Sequence, residues 1–306
     1  MRNALWSLVL VAACGEVNQT RHLDGGVDSP GGDAAPDAHV PTCYGQAFGS
    51  PSYVSVLNSQ GSEVYLRLSA DELTAYFCRL GSAAPTQGIT ASRVSVTSTF
   101  STPTTLVITN NNSAEVMSPS VTADGLTLYF TSNRSGTAGL HDIYRATRAT
   151  TTTDFGSIAN VSELNTSADE QDVYAVPDGS AVYFSSSRSN GQIYSIYRAA
   201  KSGGSGGTFG APVEVLAMAA KDVSYPVVSP DELTLFYQVG MDMFETHRAS
   251  TTAPFVAGTA LTALNTTQSS EFPDWISADG CRLYFQTDRP GGAGGLDFMV
   301  AARTPL

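Results

Sequence analysis

Five copies of one short segment recur along the chain, and a recurrence of this length admits few folds. The copies are Ser69-Ala-Asp-Glu-Leu-Thr-Ala-Tyr-Phe77, Thr122-Ala-Asp-Gly-Leu-Thr-Leu-Tyr-Phe130, Val176-Pro-Asp-Gly-Ser-Ala-Val-Tyr-Phe184, Ser229-Pro-Asp-Glu-Leu-Thr-Leu-Phe-Tyr237 and Ser277-Ala-Asp-Gly-Cys-Arg-Leu-Tyr-Phe285. Their aspartates, Asp71, Asp124, Asp178, Asp231 and Asp279, are separated by 53, 54, 53 and 48 residues. A period of this size marks a propeller or a solenoid. Asp-Gly, or Asp-Glu in two copies, supplies residues that tolerate the positive φ of a tight turn. The run after each turn alternates, as in Leu126 and Leu128 against Thr127 and Tyr129, which is strand periodicity.

Each copy continues in the same order. A polar loop carries Arg134, Arg188 or Arg289, and a strand such as Asp142-Ile-Tyr-Arg-Ala146 follows. A loop near Phe-Gly leads to a further strand that runs toward Leu57-Asn58, Leu164-Asn165 or Leu264-Asn265. Four strands in about fifty residues are the content of one propeller blade. The repeat resembles the WD40-like repeat of TolB-type β-propellers over roughly residues 45–306, most closely at 118–148 and 171–199. The expected fold is therefore all-β, a five-bladed β-propeller. TolB-type relatives imply an envelope-protein partner.

Both ends of the repeat region point to one seam. The last copy offers only three strands before Leu306, whereas Ser52–Leu57 precedes the first copy as a surplus strand. That segment is expected to complete the fifth blade and so remove two exposed sheet edges.

Upstream, three parts are expected: a signal peptide at 1–14, a tether at 15–42 and the propeller domain at 43–306. Arg2 and the apolar run Ala4–Ala13 are too short to span a bilayer. Val11-Ala-Ala-Cys14 resembles a bacterial lipobox, with Cys14 as the lipidated residue. The tether is rich in Gly, Pro, Ala and Asp and cannot offset its ordering entropy. This address is the cell envelope, lipid-anchored at the outer membrane. Of the other cysteines, Cys43 and Cys281 fall on the same rim and are the expected disulfide; Cys78 falls on the opposite one.

The formal net charge of −12 argues against nucleic acid, whose phosphates demand a basic surface, and confines membrane attachment to the lipid. The chain has no Gly-x-Ser-x-Gly, P-loop or His-Glu-x-x-His motif. His141 and His247 are expected on the surface. No metal ligand set and no cofactor are expected, apart from calcium as a cation that a ring of acids suits.

That ring is Glu63, Glu115, Glu170, Asp222 and Glu271, one acid eight or nine positions before each repeat aspartate, with Asp172 and Asp274 on the following strands. Repetition in every blade favours a structural role within the blade. A carboxylate pair across the channel would instead suit glycoside hydrolysis. Departures from the repeat point to ligand contact: one equivalent position carries Arg67, Ser120, Tyr174, Val227 and Trp275. Arg67, Tyr174, Trp275, Asp172 and Asp274 are the candidate ligand-binding residues. The function expected from these features is a monomeric binding or scaffold module for a protein or glycan of the cell envelope; the alternative is a glycosidase or lyase that uses the channel carboxylates.

The lipobox reading predicts that metabolic labelling with a palmitate analogue marks the wild-type protein and not Cys14→Ser. Equal labelling of both would remove the lipid anchor.

Overall fold

Each repeat aspartate builds its own turn. The Oδ1 atoms of Asp71, Asp124, Asp178, Asp231 and Asp279 accept from the backbone N–H two residues on, at 2.9–3.0 Å. In four copies the hydroxyl two residues earlier, Ser69, Thr122, Ser229 or Ser277, donates to the same oxygen. These hydroxyl bonds hold the Asp71 and Asp124 carboxyls below their usual range. The residue after the aspartate has positive φ in every blade: Gly125, Gly179 and Gly280 near 70°, and also Glu72 at 61° and Glu232 at 58°. The two glutamates tolerate a conformation that disfavours side chains because each is held by arginines. Glu72 pairs with Arg282 and Arg93, and Glu232 pairs with Arg198 and Arg248.

A computed structural model describes residues 43–80, 86–108, 111, 114–189, 191–203, 207–218 and 221–304. Cys14 and the 15–42 tether lie outside the described residues. Strand β1 (Ser52–Tyr53) comes first in the chain and belongs to the last sheet. Blade I contains β2 (Ser62–Leu68), β3 (Thr74–Leu80), β4 (Gln87–Ser92) and β5 (Thr104–Thr105). Blade II contains β6 (Met117–Val121), β7 (Thr127–Ser132), β8 (Asp142–Thr147) and β9 (Gly156–Asn160). Blade III contains β10 (Glu170–Ala175), β11 (Ala181–Ser186), β12 (Ser195–Ala200) and β13 (Val213–Leu216). Blade IV contains β14 (Ser224–Val228), β15 (Thr234–Val239), β16 (Asp242–His247) and β17 (Thr259–Ala260). Blade V contains β18 (Glu271–Ile276), β19 (Arg282–Thr287), β20 (Asp297–Ala302) and β1. All pairings within the five sheets are antiparallel, so the fold is the expected five-bladed propeller.

The second strands carry the core between blades. Phe77, Tyr129, Phe130, Tyr183, Phe184, Phe236, Tyr237 and Phe285 have no exposed surface. The loop arginines lie across these rings: Arg134 is 5.0 Å from the centre of Phe130, and Arg188 is 5.0 Å from that of Phe184. Interblade ion pairs add to the packing, as where Arg198 of blade III grips Glu232 of blade IV at 2.5 Å and 2.8 Å.

Closure is made by fewer strand residues than the alternation in 52–57 suggests. Only Ser52 and Tyr53 pair with Val300 and Met299 of β20, followed by a bond from the Val54 N–H to the Phe298 carbonyl. The chain then turns, and Leu57 is fully buried. The next residue carries the seam. The Asn58 side chain donates to the Phe298 carbonyl at 3.1 Å and accepts from its N–H at 2.8 Å. Asn165 makes the same two bonds to Ile143, and Asn265 makes them to Met243. A primary amide carries N–H donors beside a carbonyl acceptor, so it continues a β-ladder where the backbone turns away. A disulfide joins Cys43 to Cys281 and ties the start of the described chain to blade V across 238 residues of sequence. Cys78 is free and buried.

Replacing Asn58 with Ala leaves the Phe298 N–H and carbonyl short of partners, a loss of about 2 kcal/mol. The melting temperature should fall by several degrees. Amide exchange should accelerate at 297–301 while 142–147 stays protected. An equal acceleration in both segments would show that Asn58 does not hold the seam.

Candidate functional site

The first strands of the blades, β2, β6, β10, β14 and β18, surround the axis, and each is interrupted by a register shift against its second strand. Four blades place a non-glycine residue at positive φ in this bulge: Tyr65 (62°), Ser118 (44°), Asp172 (54°) and Tyr225 (54°). Bulges bend a strand and re-aim its side chains. Tyr65 and Tyr225 come from blades I and IV, which are not neighbours, yet their rings stack with centres 5.4 Å apart. Tyr225 also packs on Phe272, at 4.8 Å. This aromatic contact joins the inner strands of blades that are not neighbours.

At the end where the inner strands begin lies a pocket of about 600 Å³, lined among others by Gln171, Asp172, Tyr194, Lys221, Asp222 and Gln238. Asp172 is 3% exposed; its Oδ2 accepts from the Tyr225 N–H at 3.2 Å, and its Oδ1 has no hydrogen-bond partner. Burial pushes its carboxyl up, opposed in part by the Tyr225 N–H and by Arg67.

At the opposite end, where the inner strands meet their turns, lies a smaller cavity of about 150 Å³. Arg67, Ser120, Tyr174 and Trp275 line it, all at the one repeat position singled out above; Val227, the blade IV equivalent, is buried and is not part of the lining. The Arg67 guanidinium sits 5.0 Å from the centre of the Tyr174 ring. Its Nη1 donates to the Leu66 and Asp274 carbonyls and lies 3.8 Å from the Asp274 carboxylate. Its Nε and Nη2 have no acceptor. Asp274 lies beside Arg67 and lines neither pocket, and neither of its carboxylate oxygens is hydrogen-bonded. Burial pushes that carboxyl well above its ordinary value, with Arg67 opposing. The structure thus gathers Arg67, Tyr174, Trp275 and Asp274 near one end and places Asp172 in the pocket at the other.

The acidic series is two series. Glu63, Glu170 and Glu271 are fully buried and serve their own blades. Each accepts from the N–H and hydroxyl of Ser59, Thr166 or Thr266, and from Arg79, Arg188 or Arg289. The equivalent residues in the other blades are Val116 and Val223. Their N–H groups bond to Thr86 and Tyr194 as those of Glu63, Glu170 and Glu271 bond to Leu296, His141 and Met241. Glu115 and Asp222 therefore sit one residue earlier, level with Asp169, and a shift of one residue along a strand turns a side chain to the other face. The spacing of nine rather than eight residues to the repeat aspartate carried this signal. Among the described residues no group of three or more His, Cys, Asp or Glu side chains is arranged to hold a metal ion.

This second series binds the blades together. Asp222 accepts from the Tyr194 N–H, as Asp169 accepts from the His141 N–H. His141, expected on the surface, is half-buried: its Nδ1 is 2.9 Å from Asp169, and its Nε2 is 3.8 Å from Glu115. The hydrogen bond to Asp169 raises the imidazole pKa against the opposing effect of burial. Burial works against the Asp169 anion, yet hydrogen bonds from His141, Tyr194 and Gln171 outweigh it and hold its carboxyl low. His247 is exposed, as expected. Tyr65 and Tyr225 share the bulge position with Ser118 and Asp172; they, Gln171, Tyr194 and Gln238 escape a sequence reading because the repeat does not show which variable positions turn toward the axis.

No protein-family model matches this chain, and no curated protein matches it either. Solved structures of similar fold do exist. TolB from Acinetobacter baumannii superposes with a TM-score of 0.50 at 15% identity, over 82% of this chain and 56% of TolB. The chain thus spans little more than half the length of that TolB. An α-L-arabinofuranosidase from Lactobacillus brevis gives 0.55 at 14% identity, over 84% of this chain and 95% of the enzyme. A second α-L-arabinofuranosidase, from Podospora anserina in complex with cellotriose, gives 0.50 at 11% identity over 85% and 98%. The fold of this chain is that of a TolB-like β-propeller.

Because the folded-state pKa of His141 is raised, its contribution to stability is complete below the unfolded value of about 6.5 and is lost as pH rises through the folded value. The stability difference between wild type and His141→Gln should therefore shrink as pH rises through that range. Urea melts at a series of pH values measure it; a difference independent of pH would show that the imidazole does not titrate against Asp169 and Glu115.

Proposed function

We propose that this chain is a lipid-anchored, extracytoplasmic propeller that binds a protein or glycan partner of the cell envelope. The observation that carries this reading is the open polar pocket of about 600 Å³ at the start of the inner strands. It brings amide, hydroxyl, ammonium and carboxylate groups together, a mixture suited to recognition. The three glutamates that repeat are consumed by serine, threonine and arginine partners inside their blades, which supports a scaffold use of the carboxylates. The Cys43–Cys281 disulfide suits an oxidising compartment outside the cytoplasm, in keeping with the lipobox and an outer-membrane location. The net charge of −12 disfavours nucleic acid and leaves the lipid as the membrane contact of a monomer.

A second reading, a glycosidase or lyase, draws on one feature: Asp172, with its carboxyl raised by burial, shares the pocket with Asp222. Such a pair divides acid and base roles when the two carboxyl environments differ.

The two readings separate in one experiment. The wild-type protein and Asp222→Arg serve as baits in detergent-solubilised envelope, and both are assayed against a panel of glycans. A partner held by wild type and lost with Asp222→Arg supports the binding reading. Glycan turnover that disappears with Asp172→Asn replaces it with the enzyme.

A further inference from the structure

Every blade adds one small or rigid residue to the mouth of the 150 Å³ cavity: Ala70, Ala123, Pro177, Pro230 and Ala278, each just before its repeat aspartate. These residues leave an apolar throat about the axis. Beyond them lie Arg67, Tyr174, Trp275 and Ser120. The polar side chains of the lining are thus a guanidinium, a phenol, an indole N–H and one hydroxyl; no carboxylate or side-chain amide lines it. The Ser120 oxygen already accepts from the Ala175 N–H, which leaves its proton free to donate. The indole and the guanidinium can only donate.

The charge balance points the same way. Arg67 is 2% exposed and stays ionised at any accessible pH. Its nearest carboxylate stands at 3.8 Å without a hydrogen bond, and its Nε and Nη2 have no acceptor. A buried cation is costly unless it is both paired and hydrogen-bonded. Neither Asp274 nor Asp172 supplies the missing hydrogen bond: both Asp274 oxygens are without a partner, and Asp172 accepts from the Tyr225 N–H.

We infer that this axial cavity is a binding site for a carboxylate carried on a short apolar chain, with Arg67 as the counter-ion, Tyr174 and Trp275 as donors and walls, and the Ala/Pro ring as its entrance. The cavity volume of about 150 Å³ is roughly the liquid volume of five water molecules. That suits a three- or four-carbon acid, or the carboxyl terminus of an inserted peptide. The cavity shares no lining residue with the pocket behind the proposed function, so the two are tested separately.

Trp6 and Trp275 are the chain's two tryptophans. In a full-length Trp6→Phe background, emission therefore reports on the cavity. Butyrate, its uncharged analogue butyramide, and a tetrapeptide with a free or an amidated C-terminus are the probes. Butyrate, the free-acid peptide or both should change Trp275 emission saturably, with the matched amide bound at least about tenfold more weakly, as expected for loss of a charge-assisted bond. Response to butyrate alone assigns the site to a free acid; response to the peptide alone assigns it to a chain terminus. Arg67→Met should abolish the response. Ala123→Met, which fills the throat without touching the buried charges, should do the same in a protein that melts like wild type. No saturable response to any carboxylate, equal binding of acid and amide, or undiminished binding by Ala123→Met would overturn the assignment.

Discussion

A ring of sheets depends on its seam, and here a two-residue strand and one amide form it. β1 contributes two paired residues to β20, too few to hold a blade closed on its own. Asn58 extends the ladder through its side chain, Leu57 fills the core beneath it, and the Cys43–Cys281 disulfide anchors the preceding segment. The same Leu-Asn pair works within blades II and IV, where Asn165 and Asn265 clip the third strand. The seam thus reuses a device already present in ordinary blades, with the chain entering from the other end of the sequence.

With the ring closed, the inner strands face one another across a narrow axis, and the chemistry there follows from crowding. Side chains from non-adjacent blades meet, as Tyr65 and Tyr225 do. Charges are drawn out of water: Arg67, Asp172 and Asp274 are all at most 3% exposed. Some buried charges elsewhere are matched, as Glu170 is by Arg188 and Glu232 by Arg198. The axial groups are matched incompletely, and polar groups left in that state in a folded protein mark places where something beyond the fold is at stake.

Much was legible in the residues alone, because a repeat reports the same local physics five times. The aspartate turn and the alternating second strand recur in every copy, the loop arginine (Arg134, Arg188, Arg289) and the Leu-Asn corner in three, and hydrogen bonds within one blade make the turns and the corners. The blade count, the shared fifth blade and the grouping of Arg67, Tyr174 and Trp275 could be read from which strands and which variable positions were equivalent. The ring of five acids could not be read as a single set: the bulge-bearing strands admit spacings of eight and nine, and a one-residue difference sends Glu115 and Asp222 to the other face, level with Asp169.

What the sequence determined by itself was therefore whatever acts within one blade over a few residues: turns, strands, the aromatic second strand and the propeller they compose. Tertiary structure alone decided what happens between blades. Only the packing of blade on blade sets His141 between Glu115 and Asp169, stacks Tyr65 on Tyr225 and leaves Arg67 with an unfilled hydrogen-bonding capacity. Those contacts join residues dozens to hundreds of positions apart, and no local periodicity encodes a distance that exists only once five sheets share an axis.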